Sequence, residues 1–307
     1  MLAAPTLLLV AALDRAFGEP RNAWHPVAWF GRAVQPLGPL LLRLPPSAAL
    51  VAGGVAWTLA VGGAAALAWV LQLALDRLAA PWLAAMAAAL LLKPAMSFRM
   101  LHDEVEAVEA ALQQSLDAGR ARVAMLCSRD VSTLDANAVR ETAIETLAEN
   151  LNDAWVAPLF WFVVAGLPGA WAFRAANTLD AMWGYRGRWE WAGKVAARAD
   201  DVLAWVPARI TAALLWRPGV ALRRVAREAR QTTSPNGGWP MATMALRLRI
   251  SLGKPGVYRI NAGAPAPSAS AVTQALVAAR HAAAWACAIA IAVLVAIAAI
   301  AAIGAPA

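Results

Sequence analysis

Uncharged apolar runs recur along the chain, separated by blocks in which acids and bases concentrate. Leu44 to Leu75 and Ala282 to Ile303 carry no charged residue. Each is long enough to cross a hydrocarbon core of about 30 Å as a helix. Ala79 to Leu92 is shorter and stops at Lys93 and Pro94, which makes it the second arm of a hairpin turned at Asp76 and Arg77. Ala154 to Phe173 is also uncharged, yet it contains Gly166, Pro168 and Gly169, the marks of a broken helix, either spanning or re-entrant. Val202 to Leu215 is a further apolar stretch, interrupted by Pro207 and Arg209, which are costly in lipid unless they face a protein-lined cavity. Two half-entries and two crossings both fit these last segments. The pattern predicts an all-α, polytopic integral membrane protein with about four or five membrane helices, some broken or re-entrant, and helical cytoplasmic loops.

On this reading residues 1–307 form one integral membrane domain in five parts. A membrane hairpin covers 44–96 and a polar helical block 97–153. Broken membrane segments with a motif loop cover 154–216, a basic polar block 217–281, and a C-terminal membrane helix 282–303. The opening MLAAPTLLLVAAL has no basic residue before its apolar run and no small-x-small cleavage site, so it is expected to be retained, in or on the membrane. Sixteen of the 27 Lys and Arg lie between Arg174 and Arg280, which by the positive-inside rule places that block mainly in the cytoplasm.

At 61% hydrophobic and 15% charged residues, the composition departs from that of an ordinary soluble domain. Only Cys127 and Cys287 are present, too few for a disulfide framework. The histidines His25, His102 and His281 show no metal-ligand spacing, which points away from zinc or haem. The net charge of +8 is uneven, because no Asp or Glu follows Glu228 while Arg230, Arg247, Arg249, Lys254, Arg259 and Arg280 do. Such a basic region suits anionic lipid, phosphates or an acidic ligand. No nucleic-acid-binding module is recognisable, and no nucleic-acid partner is expected. The 15 Trp fit interfacial belts, with stacking on a planar ligand as the alternative.

Chemistry concentrates between residues 129 and 210. Ser132, with Asp135 three residues on, makes an approximate capping box for a helix from about Leu134 to Asn150. Within it Glu141, Glu145, Glu149 and then Asp153 recur every four residues, so the acids stack along one slowly drifting face. Ile144, Leu147, Leu151 and Trp155 fall on the neighbouring face. Like charges at this spacing repel by a few tenths of a kcal/mol each, and no Lys or Arg stands four residues from any of the glutamates. A neutralising partner must therefore come from outside the helix. Mg²⁺ carrying nucleotide phosphates is one answer, arginines from other segments a second, and a solvated face the plain alternative. Asn150 and Asn152 add amides beside the row.

Asn177, Asp180, Tyr185 and Arg186 in NTLDAMWGYR follow the broken segment. Interfacial anchoring accounts for Trp183, Tyr185 and Arg186 but not for Asp180. Asp200 and Asp201 open the next apolar stretch, either as caps at a positive helix end or as a second carboxylate pair at the site. SPNGGWP at 234–240 is turn chemistry whose backbone amides could form an anion nest.

Six blocks in order resemble the adenosylcobinamide-phosphate synthase family of cobalamin biosynthesis: LDRAFGEPRNAWHPVAWFGRAV, SRDVSTLD, ETLAENLNDAWVAPLFW, RAANTLDAMWGYR, ARADDVLAWVPARIT and SPNGGWPMATMALRLRISLGKPGVY. Glu19 stands where the family carries Asp. The resemblance implies a multi-pass enzyme of the cell inner membrane, its site facing the cytoplasm. It implies formation of an amide between a propionate of adenosylcobyric acid and (R)-1-amino-2-propanol or its O-phosphate, with ATP as co-substrate and Mg²⁺. Glu145, Asp180, Asp200 and Asp201 are then the catalytic candidates. Glu145 and Glu149 with Asp153 or Asp180 would hold Mg²⁺, and Asp200 or Asp201 would accept the amine proton. Arg129, Arg186 and Arg209 would meet phosphate oxygens, with Asn150, Asn177, Tyr185, Asn236 and Lys254 completing the substrate contacts. No GxxxxGK[ST] loop is present, so any nucleotide site is built otherwise. Membrane lipid and other late enzymes of the pathway are the remaining partners implied. A transporter, and a non-catalytic anchor that gathers those enzymes, are the rival readings.

Overall fold

The structure, a computed structural model, describes residues 3–127 and 129–303, so Ser128 of the SRDVSTLD motif lies outside the described residues. Four helical stretches are long and apolar enough to cross a membrane: Pro46–Asp76, Pro81–Gln114, Ala136–Trp183 and Ala269–Ile303. The protein is an all-α polytopic membrane protein with one small β-hairpin that the sequence pattern did not predict. Trp205–Leu215 has only 11 residues, too short for a crossing of its own. The chain divides into two compact units.

The first unit contains Met1–Ser97, Ala157–Leu203 and Cys287–Ala307. Its longest described helix, Pro46–Asp76, starts with Pro at its first position, where the missing N–H costs nothing. Leu59, Leu67 and Trp69 stand exposed on it, as expected of a surface whose solvent is lipid. Its other side packs along Ala157–Trp183, over a core that includes Val61, Leu179 and Trp183. The predicted hairpin is present, with a second arm at Pro81–Leu92 on which the N-terminal helix Ala3–Phe17 packs.

Lys93, where the apolar run of that arm stops, is held inside the protein. It is buried, with Nζ 3.1 Å from Asp14 Oδ1, bonded to Glu19, and donating to the Met96 carbonyl at 3.0 Å. His25 Nε2 completes the group at 2.9 Å from Glu19 Oε2. A buried ammonium needs such partners, and here they come from a segment more than seventy residues earlier.

Ala157–Trp183 is broken as predicted. Ala165 and Gly166 leave helical geometry, at φ −142°, ψ 20° and φ 65°, ψ −152°. The amide freed at the break donates from Leu167 N to Gln72 Oε1 at 2.9 Å, so the neighbouring helix supplies the acceptor that lipid cannot. Gly166 is required twice over, because its φ is left-handed and a Cβ there would lie 2.3 Å from Gln72 Oε1.

The second unit contains Phe98–Val156 and Ala204–Ala286. Its centre is the helix Ala136–Leu151, against which pack Phe98–Gln114, Gly238–Leu248 and the strand Leu252–Lys254. That strand pairs antiparallel with Tyr258–Ile260, placing Leu252 opposite Ile260 and Lys254 opposite Tyr258. Pro255 and Gly256, the latter at φ 70°, turn the chain between them.

Gly166→Ala is expected to lower the thermal midpoint of the detergent-purified protein by several degrees, because it adds backbone strain of about 1–3 kcal/mol to the clash. Adding Gln72→Ala should recover only the part due to the clash. An unchanged midpoint for Gly166→Ala would contradict the assigned break.

Candidate functional site

The acid row lies inside the second unit rather than on a solvated face. Its helix begins at Ala136, with Asp135 as the cap accepting from Ala138 N at 2.8 Å, so Asp135 and not Ser132 fixes the start. Glu141 and Glu145 are buried, at 4% and 2% exposed, and Ile144, Leu147 and Leu151 are buried beside them. Neutralisation comes from other segments. Arg259, on the second strand of the hairpin, grips Glu141 with both terminal nitrogens at 3.1 Å, and Ser251 Oγ donates to the same carboxylate at 3.4 Å. Arg129, from the loop before the helix, donates to Glu145 Oε2 and to Thr142 Oγ1, both at 3.1 Å. Arg140 pairs instead with Glu109 of the adjacent helix, at 2.8 and 2.9 Å.

Glu145 Oε1 is buried, its sister oxygen is held by Arg129, and the Tyr258 hydroxyl is the other donor at this carboxylate. Burial, together with the charge and the hydrogen bond of Glu145, pushes the phenol above its ordinary value. Lys254, opposite Tyr258 on the hairpin, adds its positive charge to the field at Glu145 and Glu149. A cavity of about 570 Å³ opens between this hairpin and the start of the helix, lined by Glu141, Lys254, Tyr258 and Arg259 among others.

Glu149, Asp153 and the 234–240 turn extend the row. Glu149 abuts Gly237 so closely that a Cβ on the glycine would lie 2.6 Å from Glu149 Oε1. Asn150 is displaced by about 100° around the helix and does not join the face. Asn152 to Val156 form a π turn, a local widening that recurs at functional sites. There Asn152 donates to Asp153 Oδ1 at 2.7 Å and accepts from Thr211 Oγ1 at 3.1 Å.

Three expectations are corrected in this unit. Glu145, Glu149 and Asp153 do not converge into a three-ligand cage; among the described residues only His102, Asp103 and Glu106 bring three ligand atoms within 4.8 Å of one another. The three span more than two turns of helix, so the outer pair, Glu145 and Asp153, stand about 12 Å apart along the axis. Arg209 is committed to structure rather than waiting for phosphate. It donates to Asn236 Oδ1 at 2.7 Å and to the Pro235 carbonyl at 3.0 Å, and stacks on Trp205 and Trp239. The predicted anion nest is spent as well, because the amides of Asn236 and Gly237 donate to Ser234 Oγ.

Asp180, Asp200, Asp201, Asn177, Tyr185 and Arg186 belong to the first unit. Asn177 Nδ2 donates to Asp200 Oδ1 at 3.3 Å, joining two of the predicted residues. Asp201 is paired with Arg198 at 3.4 Å, yet burial outweighs that pairing and raises its carboxyl above the ordinary range. Asp180 sits against Gly184, where a Cβ would lie 1.9 Å from its Oδ1. Tyr185 and Arg186 are exposed. Sequence reasoning missed Arg259, Tyr258 and Ser251. The Lys-Pro-Gly run before Tyr258 was the signal that could have revealed their hairpin.

A match to the CobD/Cbib protein family spans residues 7–286. A relative in Stutzerimonas stutzeri named cobalamin biosynthesis protein CobD is 42% identical over 251 residues, covering 80% of each chain. One of the same name in Rhodobacter capsulatus is 36% identical over 305 residues, 92% of this chain and 94% of the relative. A probable cobalamin biosynthesis protein CobD of Methanothermobacter thermautotrophicus is 38% identical over 263 residues, 82% of this chain and 84% of its own. No solved structure matches the chain.

Arg129→Ala should destabilise the protein by about 3 kcal/mol, because it strands the buried Glu145 charge. Arg129→Ala combined with Glu145→Ala should recover much of that loss in denaturant titrations. Strict additivity of the two changes would contradict the pairing.

Proposed function

The chain belongs to the CobD/Cbib family and so to cobalamin biosynthesis, and from that premise we propose that it is an adenosylcobinamide-phosphate synthase. The reaction joins a propionate carboxylate of adenosylcobyric acid to the amine of (R)-1-amino-2-propanol or its O-phosphate, with ATP consumed. Placement in the inner membrane, with the basic blocks and the site facing the cytoplasm, follows the positive-inside rule and is part of the proposal.

A carboxylate does not form an amide until one of its oxygens is made a leaving group. Transfer of the terminal phosphoryl group of ATP to the propionate gives an acyl phosphate. The amine nitrogen then attacks the acyl carbon, phosphate departs, and the nitrogen gives up its proton. Little covalent work falls to the protein, which must position the reactants and neutralise charge. The observation that carries the reading is the buried Glu145 carboxylate, set among Arg129, Tyr258 and Lys254.

That donor set fits Mg²⁺, a hard cation bound through one or two carboxylates plus phosphate oxygens. Glu145 and Glu149 would hold it, and it would supply charge neutralisation on the phosphates. Arg129 orients Glu145, and Lys254 is the cation of the hairpin available to an anionic substrate.

Mass spectrometry of the detergent-purified protein, supplied with adenosylcobyric acid, aminopropanol phosphate and Mg-ATP, tests the proposal. The condensed corrin should appear only with ATP and fall at least roughly a hundredfold in Glu145→Gln. Absence of product from folded wild-type protein would overturn the synthase and favour the membrane anchor.

A further inference from the structure

Away from the acid row, the second unit holds a separate cavity of about 500 Å³ lined by Arg217, Arg224, Arg247 and Arg249, with Gly219 and Asn261. No described residue lining it is an acid. Its volume falls within the roughly 300–1,000 Å³ typical of small-molecule sites, which separates it from a flat basic surface resting on lipid.

Four guanidinium groups around one hollow repel one another, so their convergence has to be supported. Arg224 Nη2 donates to Asn261 Oδ1 at 2.9 Å, and Arg247 Nη1 donates to the Leu215 carbonyl at 2.9 Å. Both acceptors are neutral, so the arginines are oriented without being discharged. Burial and the neighbouring Arg217 both work against the charge on Arg247. Glu228, the nearest acid along the chain, is occupied with the Asn261 amide at 2.8 Å and with Arg227 at 3.5 Å.

The backbone carries a second, independent mark. Among the described residues only two that are not glycine have positive φ, Arg249 at 58° and Asn261 at 54°, and both line this cavity. Gly219, at φ 93°, lines it too. Arg249 is the left-handed residue that ends the helix Gly238–Leu248, with the Ile250 amide donating back to the Ala245 carbonyl at 3.0 Å, and this turn sets it on the cavity wall.

We propose that this cavity is a binding site for a soluble oligophosphate, a ligand with two or three linked phosphate groups. Planar guanidinium groups match phosphate oxygens two at a time, and a run of phosphates provides enough acceptors for four of them. The cavity stands on its own geometry. It is a second anion site, apart from the nucleotide whose Mg²⁺ the acid row would hold in the proposed synthase reaction.

The test is calorimetric titration of the full-length protein, in neutral-lipid nanodiscs, with inorganic tripolyphosphate. Binding should be saturable, weaken with salt, and fall at least roughly tenfold in Arg217→Gln and in Arg249→Gly. Arg249→Gly relieves the left-handed strain, so it should unfold no earlier than wild type, which separates lost affinity from lost folding. Absence of tripolyphosphate binding, or binding that both variants leave unchanged, overturns the site. So does binding that appears only as retention of phosphatidylglycerol, which would make the cavity a lipid headgroup site. Tripolyphosphate bound by a protein that makes no condensed corrin would keep the cavity and sink the synthase.

Discussion

A row of carboxylates cannot be buried on a helix unless charge comes from elsewhere, and the second unit is organised around meeting that demand. Glu141 and Glu145 come from one helix, and their partners come from before and after it: Arg129 from the preceding loop, Arg259 from a hairpin 118 residues beyond Glu141. Removing either arginine would leave a desolvated charge, a penalty of several kcal/mol. The hairpin is therefore held by its electrostatic role as much as by Leu252 and Ile260, which are fully buried beneath it. At Glu145 the compensation comes from Arg129 and Tyr258, with the Lys254 charge beyond them. The proposed chemistry is placed at this carboxylate.

The membrane unit solves the same kind of problem with neutral groups. A helix broken in lipid exposes amides that nothing in the solvent can satisfy, and Gln72 answers the one at Leu167. Lys93, Asp14 and Glu19 form the charged counterpart, a buried cation between two acids that ties the N-terminal segment to the hairpin. Glu19 thus serves as an anchor, with a longer side chain than the Asp the resemblance led one to expect.

Elements that depend on composition were legible in the sequence. The long apolar runs, the break at Gly166 to Gly169, the four-residue period of the acids and the need for outside arginines all followed from local patterns. Partnerships across long separations did not. Nothing near Glu141 names Arg259, and nothing near Lys93 names Asp14. The hairpin strands are three residues each, below the length at which alternation is visible. The four-residue period predicted acids stacked along one face, and it does not say which of them share a ligand. The phosphate role for Arg209 failed because residue type does not reveal that Asn236 and two tryptophans already hold it.

The proposed synthase stands on the buried Glu145 carboxylate as the place where a divalent cation bound to nucleotide would enter. Electron paramagnetic resonance of Mn²⁺ added with ATP reads this without turnover. Wild-type protein should show a protein-bound Mn²⁺ spectrum that depends on ATP, and Glu145→Gln should return the spectrum to that of Mn-ATP free in solution. A bound spectrum that survives Glu145→Gln unchanged would contradict the claim and move the metal off the acid row.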